Sequence, residues 1–341
     1  FGSSRTLRFA DMTQVKLSLA TGPLVAPVLL ADARGRLSAV WLRALNADAA
    51  QLALAPDGQG VLDALGGCAE VFTDMDWGPA QPAGVPILSP ASVALIDGPL
   101  TAPPGQQAQP WLGGAWFRLP PPGQPAAASA SRAQALKLLQ LVTADAETHA
   151  LEEAMRGDAQ LSYQMLRLVN SPGIGGGRRE IGSLAQAILM LGRAQLKRWI
   201  NLVLFSARGG DTRSAVLFAH VAMRARLLEL LAEAAGQDKA QQEVAFMAGM
   251  FSWLDALFAK PLNEVLHPLQ LPDALRRGLL QGEGPTGDLL ATAKAWETCD
   301  APALPACLDR LGISFTEGSL ASLKACAWAL GIARDQGSPG G

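Results

Sequence analysis

Between Pro99 and Pro125 the chain places eight of its 23 prolines, seven of them in the runs PLTAPPGQ and LPPPGQP. Each proline lacks an N–H donor and fixes φ, so neither a helix interior nor a central strand can cross this stretch. It divides two different textures. From Leu17 to about Ile96 the apolar runs are short and broken by turn residues (PLVAPVLLADARGRLSAVWLRAL, AEVFTDMDW, GVPILSPASVALIDG), a pattern of strands with few helices. Beyond the prolines, Ser131 can cap RAQALKLLQLV. Apolar positions then recur every three or four residues through SYQMLRLV, SLAQAILML, LKRWINLVLF, AVLFAHVAMRARLLELLAEAA and ASLKACAWALGIA, the period of packed helices. The reading predicts an α+β protein: a small α/β domain over 1–125 ending in a Pro-rich linker, then an all-helical domain over 126–341.

Charge and cysteine content narrow the function. Lys and Arg number 28 against 30 Asp and Glu, a formal charge of −2, which gives no global field to draw in nucleic acid or an anionic membrane. Nucleic acid and membranes are therefore not expected as partners. The four cysteines, Cys68, Cys299, Cys307 and Cys326, form no CxxC pair, so neither a disulfide framework nor a thiolate zinc site is signalled, and a reducing cytoplasm is expected. No run approaches the ~20 apolar residues of a bilayer span. The opening FGSSRTLRFADMTQ lacks the apolar core of an export signal, so export is not expected.

The segment RGDAQLSYQMLRLVNSPGIGGGRREIGSLAQAILMLGRAQLKRW, from Arg156 to Trp199, resembles the signature of HDOD domains. These are all-helical relatives of the HD phosphohydrolases that have lost the metal-binding residues. The positions that carry the likeness are Asp158, Leu161, Ser162, Arg167, Asn170, Ser171, Gly192 and Trp199. Downstream, VAFMAGMFSWLDALFAKPLNEVL is similar to the segment in which HD hydrolases carry Ala-Phe-Leu-Ala-Gly-Leu-Leu-His-Asp. Aligning Gly249 on that glycine puts Ser252 and Trp253 where the metal-binding His-Asp pair would stand. A hydroxyl and an indole N–H cannot replace an imidazole and a carboxylate as ligands to a divalent metal. The resemblance therefore implies a helical HD-like bundle over about 130–335 with vacated metal positions and no metal or other cofactor. His220, in LFAHVAMRA, falls roughly where an HD hydrolase has its first ligand histidine. It is either that ligand's lone remnant or a helix histidine with a local hydrogen bond. His149 and His267 read as solvent-side.

The N-terminal part resembles a shortened, degenerate EAL domain. GAWFRLPPPG is similar to the junction in EAL–HDOD hybrids, and PVLLADARGRLSAVWLRAL to the opening EAL strand pair, with its turn at Arg34-Gly35. Where that second strand would bear the catalytic Glu, this chain has Trp41-Leu42. One Glu, Glu70, and one Lys, Lys16, precede the linker, whereas hydrolysis of cyclic di-GMP needs several carboxylates around two metals and a lysine near the water. About 125 residues is also half of the ~250 of a full β/α barrel. Asp74 and Asp76, in TDMDW, read as strand-end residues.

Three further features bear on binding. The loop Pro172 to Arg179 offers glycine amides, the guanidinium groups of Arg178 and Arg179, and Ser183 opening the next helix, a combination that suits a phosphate but equally a plain connector. No Gly-Lys-Ser/Thr follows, so it is not a P-loop. Arg193, Lys197 and Arg198 read as a solvated face. Asn170, before Ser171-Pro172, reads as a helix terminator. No nucleophile–base pair or carboxylate cluster emerges, so the chain is expected to be no enzyme. The expected function is a non-catalytic bacterial signal-transduction regulator that binds a protein partner through its HDOD domain. The alternative is a receptor for a nucleotide second messenger such as cyclic di-GMP, using the groove of the lost site or the Arg178-Arg179 loop.

Overall fold

The structure, a computed structural model, describes residues 21–74, 76–77, 81, 85–98, 100, 108–118, 129–156, 198 and 213–337. It is a mixed α+β fold: a small sheet joined to a helical region. Strands β1 (Val25–Ala31) and β2 (Leu37–Ala44) form an antiparallel hairpin. Its turn lies where expected. The Asp32 carboxylate accepts from the Arg34 and Arg36 amides at 2.8 and 2.9 Å, and Gly35 takes φ 74°, a left-handed conformation that suits glycine. A 3₁₀ turn (Ala49–Leu54) and helix α1 (Gly58–Cys68) lead to β3 (Glu70–Thr73), which returns parallel to β2. Strands β4 (Val93–Leu95) and β5 (Trp111–Gly113) pair parallel, and β5 lies antiparallel to β1, giving the order β3-β2-β1-β5-β4. A 3₁₀ turn, Trp116–Arg118, ends this part.

The helices that follow are α2 (Ser129–Thr143), α3 (Thr148–Arg156), α4 (Arg213–Ala234), α5 (Lys239–Phe251), α6 (Leu254–Phe258) and α7 (Leu262–Leu266). Then come α8 (Asp273–Gln281), α9 (Gly284–Glu297), α10 (Leu304–Leu311) and α11 (Phe315–Gly337). Helices α4, α5 and α11 pack together at the centre. Asp238 and Gln241 form a reciprocal capping box that fixes the start of α5. Among the described residues no helix is long and apolar enough to cross a membrane.

Side chains alternate across each strand, so the sheet has two apolar faces. Trp41, Ala39 and Leu30 belong to the outer face, with Val93, Leu88 and the tilted Phe72–Trp111 pair. Val25, Leu29, Val40, Leu42 and Leu112 belong to the inner face, which shares one apolar cluster with α1, α4, α5, α9 and α11. Sheet and helices are thus joined by a common core. Polar contacts fix the join at the start of β1. Trp296 Nε1 donates to the Val25 carbonyl at 3.1 Å, the Val25 amide donates to Ser319 Oγ at 3.1 Å, and Ser319 donates to the Pro23 carbonyl at 2.8 Å. All of these groups are buried, where an unmade hydrogen bond costs about 1–3 kcal/mol.

Gly318 lets the Trp296 ring lie against α11, since a Cβ there would stand 2.4 Å from the ring edge, whereas a Cβ on Gly331 of the same helix would meet open space. Gly318→Ala should therefore cost about 1–3 kcal/mol by overpacking. Gly331→Ala should be neutral, or stabilising by up to about 1 kcal/mol through helix propensity. Urea unfolding of both variants checks the contrast, and equal effects would contradict it.

Candidate functional site

The residues singled out around Ser252 and Trp253 converge. Helices α4 and α5 touch at Gly249, where a Cβ would stand 2.5 Å from Ala225 Cα. This approach brings the His220–Arg224 turn of α4 beside Ser252 and Trp253, which follow α5. The ring centroids of His220 and Trp253 are 6.5 Å apart. Ser252 Oγ donates to the Gly249 carbonyl at 2.7 Å and accepts from Arg224 Nη1 at 2.9 Å. Trp253 is 4% exposed.

Residues from the sheet side close this corner. Phe117, in the turn after β5, stacks on His220 with centroids 4.1 Å apart and planes 21° from parallel, and lies 5.5 Å from Trp253. Arg213 Nη1 donates to the Phe117 carbonyl at 3.2 Å. The Arg118 guanidinium sits 5.0 Å from the Trp253 ring centroid and pairs with Asp255 at 2.8 Å. Arg224 lies 4.0 Å from the same ring centroid and holds Glu297 bidentately, with Nε to Oε1 at 2.6 Å and Nη2 to Oε2 as the second bond. Beside Arg118 and Asp255 an open cavity of about 450 Å³ is lined also by Asp97, Lys260 and the apolar Ala256, Ala259, Pro261 and Leu262.

The chemistry available here is limited. Burial, with Arg224 one turn away, pushes His220 down to about 3, so its ring is neutral and stacked rather than charged. Ser252 Oγ is engaged on both sides. Among the described residues no three His, Cys, Asp or Glu are grouped to hold a metal. Ser252 and Trp253 do not fit a divalent ion, for the reason read from their side chains.

His149 and His267 are exposed, as their pattern predicts. Asp74 is a strand-end residue, accepting from the Ala44 amide at 3.0 Å and pairing with Arg43 at 3.1 Å. Asp255 pairs across the fold with Arg118. One reading differs. Arg198, read as part of a solvated face, is 7% exposed, holds Glu229 through two bonds of 2.8 and 2.6 Å, and lies 3.3 Å from the Phe246 ring centroid. Asp158, Leu161, Ser162, Arg167, Asn170, Ser171, Gly192 and Trp199, and the anion-binding candidates Arg178, Arg179 and Ser183, lie outside the described residues. Reading the sequence missed Phe117, Arg118, Arg224 and Glu297. Arg224 carried a usable signal, one helical turn from His220; Glu297 carried none.

Residues 131–262 match the HDOD domain. The chain is similar to the uncharacterized Bacillus subtilis protein YuxH, with 31% identity over 154 residues, covering 43% of this chain and 37% of that protein. It is also similar to CdgJ of Vibrio cholerae, a cyclic di-GMP phosphodiesterase, with 30% identity over 186 residues, 54% of this chain and 42% of that one. The chain thus spans about two fifths of the length of these relatives. A crystal structure of a candidate phosphohydrolase from Shewanella amazonensis aligns at TM-score 0.43 and 17% identity, covering 60% of this chain and 93% of that one.

His220 should give no imidazole titration between pH 5 and 8 by NMR. An unfolded histidine takes its proton near 6.5 while the folded His220 resists until about 3. The unfolded state therefore binds more protons in that interval, and His220 makes stability fall as pH drops from 6.5 toward 3. His220→Asn should flatten this part of the acid-unfolding profile. A His220 resonance titrating near 6.5 would contradict the packing described.

Proposed function

We propose that this chain is a non-catalytic signal-transduction regulator of a bacterium, acting in the cytoplasm through protein–protein contact made by its HDOD domain. The observation that carries the reading is the filling of the vacated corner from within. Phe117 covers His220, and Arg224 with its counter-ion Glu297 stands beside Ser252 and Trp253. A hydrolase of the HD type needs a metal-bound water in an open coordination position, and neither ligands nor opening are supplied by these side chains. The N-terminal sheet is read as a shortened, degenerate EAL-like domain. Its β2 carries Trp41 and Leu42 in place of an acid, and the five strands among the described residues are fewer than a β/α barrel closes with. The similarity to a cyclic di-GMP phosphodiesterase supports a place in signalling. With Phe117 seated, a nucleotide would have to be bound elsewhere, for example at the Arg178-Arg179 loop.

Incubation of the full chain with cyclic di-GMP and Mg²⁺ or Mn²⁺, followed by chromatography, should show no hydrolysis above the rate without protein. Calorimetry with the same nucleotide should show no saturable heat. Hydrolysis would overturn the non-catalytic reading, and saturable heat without hydrolysis would favour the nucleotide receptor. Cross-linking in the source cells should capture a protein partner through lysines of the helical region, and captured contacts confined to the sheet would contradict the assigned surface.

A further inference from the structure

We infer that the Arg224 guanidinium is the built-in replacement for the cation that Ser252 and Trp253 can no longer hold. The inference rests on reading these two residues as the vacated metal pair. A metal in an HD-type site ties together side chains from separate helices, and its removal leaves a bundle without that tie. Here a single side chain ties three segments together. From α4, Arg224 reaches Glu297 at the end of α9 through two charge-assisted bonds, Ser252 Oγ after α5 at 2.9 Å, and the face of Trp253 at 4.0 Å.

Three properties separate this arrangement from an ordinary surface ion pair. The two side chains are only 13% and 18% exposed, whereas Arg310–Asp288 and Arg277–Glu283 are pairs about half exposed or more. Removing one partner of so shielded a pair leaves the other as an uncompensated charge. The guanidinium fork matches a carboxylate in its plane while its face stacks on an indole, two tasks a lysine ammonium cannot combine. The third property is placement. Ser252 and Trp253, the two residues that fail as metal ligands, are the ones that accept from Arg224 and stack with it. Loss of the ligands and gain of an internal cation are thus complementary changes at one place. A second cation is excluded while Arg224 stays, because like charges a few ångströms apart repel strongly in a shielded site.

The test uses the full chain and Mn²⁺ alone as probe. Arg224→Gln leaves Glu297 shielded and unpaired, and should lower the thermal midpoint by roughly 5–10 °C. It should also speed amide exchange through Ser252–Phe258. Millimolar Mn²⁺ should recover part of the midpoint in this variant and leave the wild type unchanged, since only the variant presents Glu297 and His220 to an absent positive charge. Arg224→Lys, which keeps the charge without the fork, should lie between the two and ignore Mn²⁺. Should Arg224→Gln not fold, Arg224→Lys together with Glu297→Gln still decides: both should be destabilised and neither should respond to the metal. The inference is overturned if Arg224→Gln keeps the wild-type midpoint, if its loss is not reversed by Mn²⁺, or if Mn²⁺ shifts the wild type, Arg224→Lys or Glu297→Gln as well. None of these readouts depends on nucleotide hydrolysis, so failure here is distinct from failure of the proposed function.

Discussion

The approach of α4 to α5 at Gly249 governs the whole candidate site. With no side chain at that position the helix backbones come into contact at Ala225, and a Cβ would have to lie 2.5 Å from Ala225 Cα. From this one contact it follows that His220 and Arg224 face Ser252 and Trp253 across a gap that side chains alone can fill. A wider separation would leave a groove between the helices. The close approach instead makes a corner, and the corner is packed.

The packing ranks the contributions. Phe117 is 1% exposed, and truncating a buried phenylalanine typically costs about 3–5 kcal/mol. The Arg118–Asp255 pair beside it has side chains 46% and 28% exposed, and such a pair is worth about 0–1 kcal/mol. Apolar seating of the aromatic ring, rather than the ion pair, therefore keeps the sheet-side turn in place. The clasp at Val25 and the shared apolar cluster work in the same direction, so the turn that carries Phe117 is positioned by a sheet itself anchored to α9 and α11.

Much of this was legible in the residues. The hairpin turn at Arg34-Gly35, the strands before the prolines and the helices around Val216 and Ala325 follow from local period and turn chemistry, which act over a few residues. Ser252 and Trp253 could be placed because Gly249 fixes their spacing along one chain segment. The closing of the site was not legible. Arg118 meets Asp255 across 137 residues, and Arg224 meets Glu297 across 73. Nothing in a periodic pattern says which side chains from two distant segments will face each other. Arg198 shows the same limit from the other side, since a basic residue among charged neighbours gives no sign that a glutamate 31 residues on will hold it in a shielded pair.

The central claim is that the corner around Ser252 and Trp253 is filled by the chain's own side chains, with Arg224 supplying the charge and Phe117 the cover. Elemental analysis of the full chain, purified without chelators and dialysed, tests it most directly. The account predicts iron, manganese and zinc each far below one equivalent per chain. Near-stoichiometric content of any one of them, retained through dialysis and lost on replacing His220 or Glu297, would contradict it.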